Sequence, residues 1–191
     1  LPLGDGLSSI ELCAGAGGQA LGLERSGFSH EALVEIDKDA CATLRLNRPE
    51  WNVVEGDMCA FDPRPYKGVD LVAGGLPCPP FSVAGKQLGE KDERNLFPAA
   101  LDIIDEIRPG AVMIENVRGF LDAVFEDYRG HLRAQLAKMG YTVDWRLLNA
   151  SDYGVPQLRP RVAIVALRHA FADKFSWPEP NPKNPLTVGQ T

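Results

Sequence analysis

The 191-residue sequence lacks the features that mark metalloproteins, disulfide-rich secreted domains and membrane proteins. Its four cysteines form no Cys-x-x-Cys pair and its three histidines are isolated, so no metal-site signature is present and free thiols are expected. No run of 18 apolar residues occurs, and residues 1–7 have neither the basic nor the apolar part of a signal peptide. We therefore expect a cytoplasmic protein without a membrane span or a bound metal.

The chain also lacks an overall positive charge. Its formal net charge of −6 argues against a protein that coats nucleic acids without selectivity. Residues 129–168 are an exception, because seven Lys and Arg against two acidic residues give that stretch a charge of +5. This stretch predicts either a surface that contacts a nucleic-acid backbone or an ordinary solvated helix face, and the sequence leaves both open.

Short apolar strands alternate with helical segments along most of the chain. This alternation predicts an α/β fold, a doubly wound and mostly parallel Rossmann-like sheet. The last two strands are joined by too short a link for a crossover helix, so the last strand should be antiparallel. We predict one domain over residues 1–170 and an extended, proline-rich linker over residues 171–191. The predicted strands are residues 8–14, 31–36, 52–55, 69–73, 111–114, 141–148 and 162–167, and the helices are residues 19–26, 37–46, 95–107 and 123–139.

A glycine-rich motif, Glu11-Leu-Cys-Ala-Gly-Ala-Gly-Gly18, joins the first strand to the first helix. Glycines there allow a ligand to approach the backbone, and the helix start offers free N–H groups. Glu35, 20 residues after Gly15, is placed to bind a ribose, and Asp57 is placed to reach an adenine amino group. Because residue 20 is alanine, the spacing favours S-adenosylmethionine over a nicotinamide cofactor, although a plain tight turn remains the alternative.

A cysteine nucleophile is predicted at Cys78, which lies between Pro77 and Pro79. The two prolines restrain its backbone from both sides. Glu115 follows the next predicted strand, and the carboxyl ends of parallel strands share one edge, so the thiol and the carboxyl should converge there. Such a pair suits addition to an electron-poor ring. A small buried cysteine and a solvated glutamate are the alternatives.

A third motif, Gln157-Leu-Arg-Pro-Arg161, opens the last predicted strand. Side chains two residues apart on a strand project to the same side, so Arg159 and Arg161 should form a pair. Such a pair can clamp a phosphate or a base carbonyl, although exposed arginines at a strand edge are the more ordinary interpretation.

Taken together, these motifs resemble the DNA (cytosine-5) methyltransferases. The resemblance extends from residue 9 to residue 168, through six blocks in the family's order. The blocks are Glu11 to Gly18, Glu35-Ile36-Asp37, Gly56-Asp57, Gly75-Leu-Pro-Cys-Pro-Pro-Phe-Ser82, Glu115-Asn116-Val117 and Gln157 to Arg161.

The resemblance implies a bacterial restriction-modification or orphan modification enzyme that methylates carbon 5 of a cytosine flipped out of double-stranded DNA. Cys78 would add to carbon 6 of the base, Glu115 would hold and protonate nitrogen 3, and Arg159 and Arg161 would steady the base. Asn116 would shape the loop under Glu115, and Ser82 would belong to a loop that closes over the DNA. S-adenosyl-L-methionine would be the methyl donor and S-adenosyl-L-homocysteine the product. The cofactor positions carried over are Leu12, Cys13, Ala14, Gly15, Ala16, Gly17, Gly18, Glu35, Ile36, Asp57, Met58, Pro77 and Leu96.

The sequence departs from the family at several positions. Cys13 replaces a phenylalanine that stacks against the cofactor, Glu11 replaces an aspartate, and Pro79-Pro80 replaces a glutamine and a small residue. The family's target-recognition region and its last conserved segment are not among these residues, and the first residue is not methionine. We therefore expect a trimmed fragment, or one part of a split enzyme with a separate target-recognition polypeptide, that is poorly active alone. The alternative is a catalytically silent DNA- or partner-binding module of the same fold.

Overall fold

The computed structural model describes residues 6–77, 95–181 and 187–190. Seven strands and five α-helices follow one another with short 3-10 turns between some of them. The strands are β1 (Leu7–Leu12), β2 (Phe28–Glu35), β3 (Val53–Glu55), β4 (Leu71–Gly75), β5 (Ala111–Val117), β6 (Tyr141–Asn149) and β7 (Pro160–Arg168). The helices are α1 (Gly18–Arg25), α2 (Lys38–Asn47), α3 (Phe97–Ile107), α4 (Glu126–Lys138) and α5 (His169–Ala172).

The strands form one mixed sheet in the order β3-β2-β1-β4-β5-β7-β6. β1 pairs in parallel with both β2 and β4, and β2 pairs in parallel with β3. β6 and β7 pair antiparallel, from Tyr141 opposite Arg168 to Asn149 opposite Pro160. The prediction of a mostly parallel, Rossmann-like sheet with an antiparallel end is therefore confirmed.

Two compact units can be distinguished among the described residues. The first comprises residues 6–77 and 95–114, and the second comprises residues 115–181 and 187–190. In the first unit, α1 and α2 cover β2 through a small apolar cluster of Ala14, Ala20, Leu33 and Leu44. α3 forms because apolar residues recur every three or four positions along it, and it buries that side. Its buried residues are Phe97, Ala100, Leu101, Ile103, Ile104 and Ile107.

The turn from β1 into α1 requires glycine at residue 17. Gly17 has a φ of +88°, and a Cβ atom built there would lie 2.6 Å from Leu44 Cδ2. Both the left-handed backbone and the packing of α2 therefore exclude larger residues. Cys13, in the same turn, also has a positive φ of +56°, although it is not glycine. The glycine-rich motif thus brings α1 back over the sheet within a few residues.

The second unit is organised around the β6–β7 hairpin and α4. Arg133 of α4 stacks over the Trp145 ring at 4.1 Å, and Phe120 packs edge-on against the same ring. Beyond α5, the Trp177 indole N–H donates to Asp144 Oδ2 at 2.7 Å, and the Tyr153 hydroxyl donates to the Pro178 carbonyl at 3.2 Å. Part of the predicted linker is therefore attached to β6 and to the turn that follows it.

Three boundaries differ from the sequence prediction by three residues, whereas the others of the main elements differ by less. β5 continues to Val117, so Glu115 and Asn116 lie within the strand rather than after it. Buried and partly buried residues alternate along β5 through Asn116. Because Asn116 is polar, the hydrophobic pattern in the sequence ends before the strand does. The predicted helix over residues 123–139 begins as a 3-10 turn before α4, and β2 begins at Phe28. Within the described ranges, no helix is long and apolar enough to cross a bilayer.

Candidate cofactor pocket and active-site residues

A cavity of about 530 Å³ opens in the first unit where β1, β2, β3 and β4 end. Its size falls within the range of small-molecule sites, and the carboxyl ends of parallel strands are where such sheets bind ligands. Seven lining residues are predicted cofactor residues: Cys13, Glu35, Ile36, Asp57, Met58, Pro77 and Leu96. The structure adds three neighbours that were not among the predicted cofactor residues: Val34, Gly56 and Gly75.

Glu35 is the best-anchored polar group of this cavity. Its Oε2 atom accepts the Gly15 N–H at 2.7 Å, and its Oε1 atom accepts the N–H groups of Ile36 and Asp37 at 2.9 and 2.8 Å. A carboxylate has about four lone-pair positions, and these three bonds occupy three of them. Glu35 therefore holds the glycine-rich turn, and its binding of a ribose stays a prediction.

Asp57 and Met58 form the side of the cavity that follows β3. Asp57 Oδ1 accepts the Cys59 N–H at 2.9 Å and starts a short 3-10 turn. Met58 is buried, and its Sδ atom lies 3.5 Å from Cys13 Sγ. Burial, with a smaller effect of nearby acidic groups, raises the pKa of Cys13 to about 12. The Cys13 thiol therefore stays protonated and contributes a soft, uncharged wall rather than a nucleophile.

Six predicted cofactor residues do not line this cavity: Leu12, Ala14, Gly15, Ala16, Gly17 and Gly18. Leu12 and Ala14 are buried in the core. The glycine-rich turn is joined to the cavity wall by the hydrogen bond from Gly15 N–H to Glu35 Oε2. The contacts of these six residues with a cofactor stay predictions.

Glu11, in β1, is a buried acid with an unsatisfied oxygen. The residue is 1% exposed, and its Oε2 atom has no hydrogen-bond partner among the described residues. Burial raises the pKa of this carboxyl to about 8, so it is mostly protonated at neutral pH. The sequence motif gave no sign of this, because an acid at the start of a glycine-rich turn is expected to reach solvent or a ligand.

The second unit brings three predicted active-site residues together. Arg161 Nε lies 2.5 Å from Glu115 Oε1, and an Arg159 Nη2 atom lies 3.9 Å from the same oxygen. The Arg161 Nε–H does not point along this short line, so the contact is an ion pair rather than a hydrogen bond. The arginines therefore do project to one side of β7, as their spacing predicts, and the carboxylate they hold is about one-third exposed.

Asn116 and Arg129 hold the backbone beside Glu115. Asn116 is fully buried, and its Oδ1 atom accepts the Val117 N–H at 2.9 Å, whereas its Nδ2 has no partner in the part of the chain that the structure describes. Arg129 Nη1 donates to the carbonyls of Phe120 and Asp122 at 2.6 and 2.9 Å. These bonds fix the turn that follows β5, a positioning role that the sequence had assigned only to Asn116.

Two predicted catalytic residues, Cys78 and Ser82, lie outside the described residues. The convergence of Cys78 with Glu115 therefore stays a prediction. In the parts of the chain that the structure describes, no group of three His, Cys, Asp or Glu side chains is arranged to hold a metal ion.

Comparisons with known proteins identify the relatives of this chain. The Type II methyltransferase M.NgoMIV of Neisseria gonorrhoeae is 62% identical over 183 residues, which cover 96% of this chain and 59% of that protein. M.NaeI of Lentzea aerocolonigenes is 54% identical, with 97% and 45% covered, and M.AquIA of a Picosynechococcus strain is 36% identical, with 90% and 75% covered. The chain thus spans about half the length of the first two relatives.

Solved structures and a family-wide sequence model agree with these relatives. An Escherichia coli prophage protein described as a DNA modification methyltransferase superposes with a TM-score of 0.81 at 27% identity, over 96% of this chain and 53% of that one. DNMT2 of Spodoptera frugiperda superposes with a TM-score of 0.69 at 28% identity, with 95% and 54% covered. The C-5 cytosine-specific DNA methylase model matches residues 7–190. The chain therefore belongs to the C-5 cytosine-specific DNA methylase family.

Proposed function

We propose that the protein transfers a methyl group from S-adenosylmethionine to carbon 5 of cytosine in double-stranded DNA. The observation that carries this proposal is the Glu115 carboxylate held by Arg161 and Arg159, since a directed acid is what cytosine activation needs. The cavity at the ends of β1 to β4, with Glu35 and Asp57 as its acids, supports the choice of cofactor.

The cavity residues fit an adenosine-containing cofactor. Glu35 would accept the ribose hydroxyls, and Asp57 would accept the adenine amino group. Ile36, which is 66% exposed on the cavity rim, and Leu96 would cover the base with aliphatic surface. When bound, S-adenosylmethionine supplies an electrophilic methyl group. S-adenosylhomocysteine would leave the same cavity after transfer.

The chain's own residues would then perform the chemistry on the base. The Cys78 thiolate would form a bond to carbon 6 of a flipped-out cytosine, while Glu115, after taking up a proton from solvent on its free oxygen, would give that proton to nitrogen 3. The ring electrons displaced by this addition make carbon 5 nucleophilic, so carbon 5 accepts the methyl group. A base then removes the proton from carbon 5, the bond between sulfur and carbon 6 breaks, and nitrogen 3 returns its proton to Glu115.

The arginines have a defined part in this scheme. Both contact Glu115 Oε1, so Oε2 is the oxygen left to face nitrogen 3 of the base. Two cations on one oxygen also fix the orientation of the carboxyl group. A glutamate on a strand without such partners would be free to rotate. Asn116 and Arg129 would not contact the base. They would position Glu115 indirectly, because they hold the end of β5 and the turn that follows it.

We infer that double-stranded DNA and a sequence-reading region are the partners, in a bacterial cytoplasm. The relatives are named type II methyltransferases, which favours a restriction-modification context. They extend beyond the matched region to different degrees, since the chain covers 45% of M.NaeI but 75% of M.AquIA. A target-recognition region within the same protein or on a separate polypeptide is compatible with this range. The silent-module alternative has no observation in its favour.

The test uses the protein expressed from its complete gene and a pool of random-sequence duplexes that contain 5-fluorocytosine. Fluorine cannot leave carbon 5 as the proton does, so the methylated adduct is trapped on the protein. We expect a denaturation-resistant complex that requires S-adenosylmethionine, that is lost in Cys78→Ser and that forms much more slowly in Glu115→Gln. Cys59→Ser, which removes an exposed thiol, is the matched control and should form the complex normally. An adduct that survives Cys78→Ser, or DNA binding without any adduct or methylation, would contradict the proposal.

A further inference from the structure

The end of the β6–β7 hairpin has an unusual hydrogen-bond pattern. Asn149, the last residue of β6, lies opposite Pro160, the first residue of β7. Asn149 and Pro160 form a pair without mutual hydrogen bonds, because the ladder bond at this end joins Ala150 N–H to the Arg159 carbonyl. A regular ladder would join the Arg159 N–H back to the Ala150 carbonyl, but here the Arg159 N–H is linked to a different acceptor.

The Asn149 side chain supplies this acceptor. Its Oδ1 atom accepts the backbone N–H of Arg159 at 3.0 Å. The next residue, Ala150, donates its N–H to the Arg159 carbonyl at 3.1 Å. The backbone of Arg159 is thus held on both sides by consecutive residues of the opposite chain segment.

This anchor lies directly beside the pair that holds Glu115. Arg159 and Arg161 flank Pro160, and Arg161 Nη1 donates to the Pro160 carbonyl at 2.9 Å. The Arg159 contact with Glu115 is the longer of the two, at 3.9 Å, and its guanidinium is about half exposed. A long, exposed contact depends strongly on where its backbone is held, because its own attraction is weak.

We propose that Asn149 is a positioning residue for the active site, and that it acts through the Arg159 backbone on the arginine pair and hence on the Glu115 carboxyl. This inference rests on the proposed function, in which Glu115 activates the cytosine. Asn149 itself would contact neither the base nor the cofactor. The acceptor oxygen is the feature that matters, so a residue that keeps the oxygen should keep the effect.

Two substitutions separate the oxygen from the rest of the side chain. Asn149→Asp retains an acceptor of the same shape, whereas Asn149→Ala removes it and leaves the Arg159 N–H without a partner. Ser151→Ala is the matched control in the same turn, because the Ser151 hydroxyl donates to its neighbour Asp152 and, among the described residues, to no other side chain.

The first measurement does not depend on activity. Guanidinium resonances of Arg159 and Arg161 are recorded by NMR in the complete protein, with Glu115→Gln as the reference for a broken pair. We expect Asn149→Ala to move the Arg159 signal toward the Glu115→Gln position, and Asn149→Asp and Ser151→Ala to leave it near the wild type. Unchanged arginine signals in Asn149→Ala would overturn the inference, even if the protein proved not to methylate DNA.

The second measurement is steady-state methylation. We expect Asn149→Ala to lower kcat about five- to tenfold, with a smaller change in KM for DNA, because the lost bond orients a group used in the chemical step. Asn149→Asp should recover most of kcat. Equal losses in both variants, or a loss confined to KM, would overturn the inference, whereas absence of methylation by the wild type would count against the proposed function alone.

Discussion

Glu35 Oε2 accepts the backbone N–H of Gly15 at 2.7 Å, across the 20 residues that separate the end of β2 from the glycine-rich turn. The same carboxylate binds the first two N–H groups beyond its own strand. An acid that sequence spacing assigns to a ribose therefore also builds the wall of the cavity. A substitution of Glu35 should therefore disturb both the glycine-rich turn and the binding of a ribose.

The first prediction concerns Glu35→Gln. The amide nitrogen cannot accept a hydrogen bond, so a backbone N–H loses its acceptor and the ribose loses an acceptor. We expect the affinity for S-adenosylmethionine to fall roughly 10- to 100-fold, measured by calorimetry, since bonds to a charged acceptor contribute about 1.5–3 kcal/mol. Asp39→Asn is the control, because it removes an exposed carboxylate from α2 outside the cavity. Equal affinities in wild type and Glu35→Gln would show that the carboxylate does not face the ligand.

The second prediction compares two glycines a turn apart. Gly17→Ala places a methyl group in a left-handed residue against Leu44, so we expect a loss of about 1–3 kcal/mol in the free energy of unfolding. Gly22→Ala lies within α1 with no atom near its Cβ position, so it should add roughly 0.5–1 kcal/mol. Urea denaturation of the complete protein measures both. A stabilising Gly17→Ala would mean that the turn differs from the one described.

The third prediction uses the raised pKa of Glu11. Folding raises this pKa from 4.5 to about 8, so the folded state keeps a proton that the unfolded chain releases. The bound proton on Glu11 makes its full contribution to the free energy of unfolding below pH 4.5. Above that pH the contribution falls by about 1.4 kcal/mol per pH unit, and it is lost once the pH exceeds the folded pKa. Glu11→Gln has no such decline. The difference in unfolding free energy between the two proteins should therefore grow from pH 5 to pH 8, and parallel curves would contradict the burial of a neutral acid.

The fourth prediction concerns the segment after α5. Trp177→Phe keeps an aromatic ring beside Phe175 and Arg146 but removes the N–H that donates to Asp144. We expect faster hydrogen exchange in residues 173–181 and a loss of about 1 kcal/mol in the local opening free energy. Phe171→Leu, at a half-exposed position of α5, is the control and should leave exchange in this segment unchanged. Fast exchange already present in the wild type would show that Trp177 does not hold the segment.

The sequence predicted the α/β class well because the signals are local. Short apolar strands such as β4 and β1, and a helix with strongly periodic burial such as α3, form with boundaries within two residues of those predicted. β5 was predicted too short, because Asn116 occupies a buried position that alternation normally gives to an apolar residue. The contact of residues 175–181 with β6 was also missed, because Trp177 pairs with residues more than 30 positions earlier.

The sequence by itself determined which chemical groups are available: the acids that end the strands, the glycine-rich turn and the arginines two residues apart. Only the tertiary structure decided what those groups do to one another, because the decisive contacts join distant residues. It showed that Glu35 anchors Gly15, that one Glu11 oxygen is buried without a partner among the described residues, and that the Asn149 side chain holds the Arg159 backbone. Burial and hydrogen-bond geometry are properties of packed surfaces, and a motif records residue identity without them.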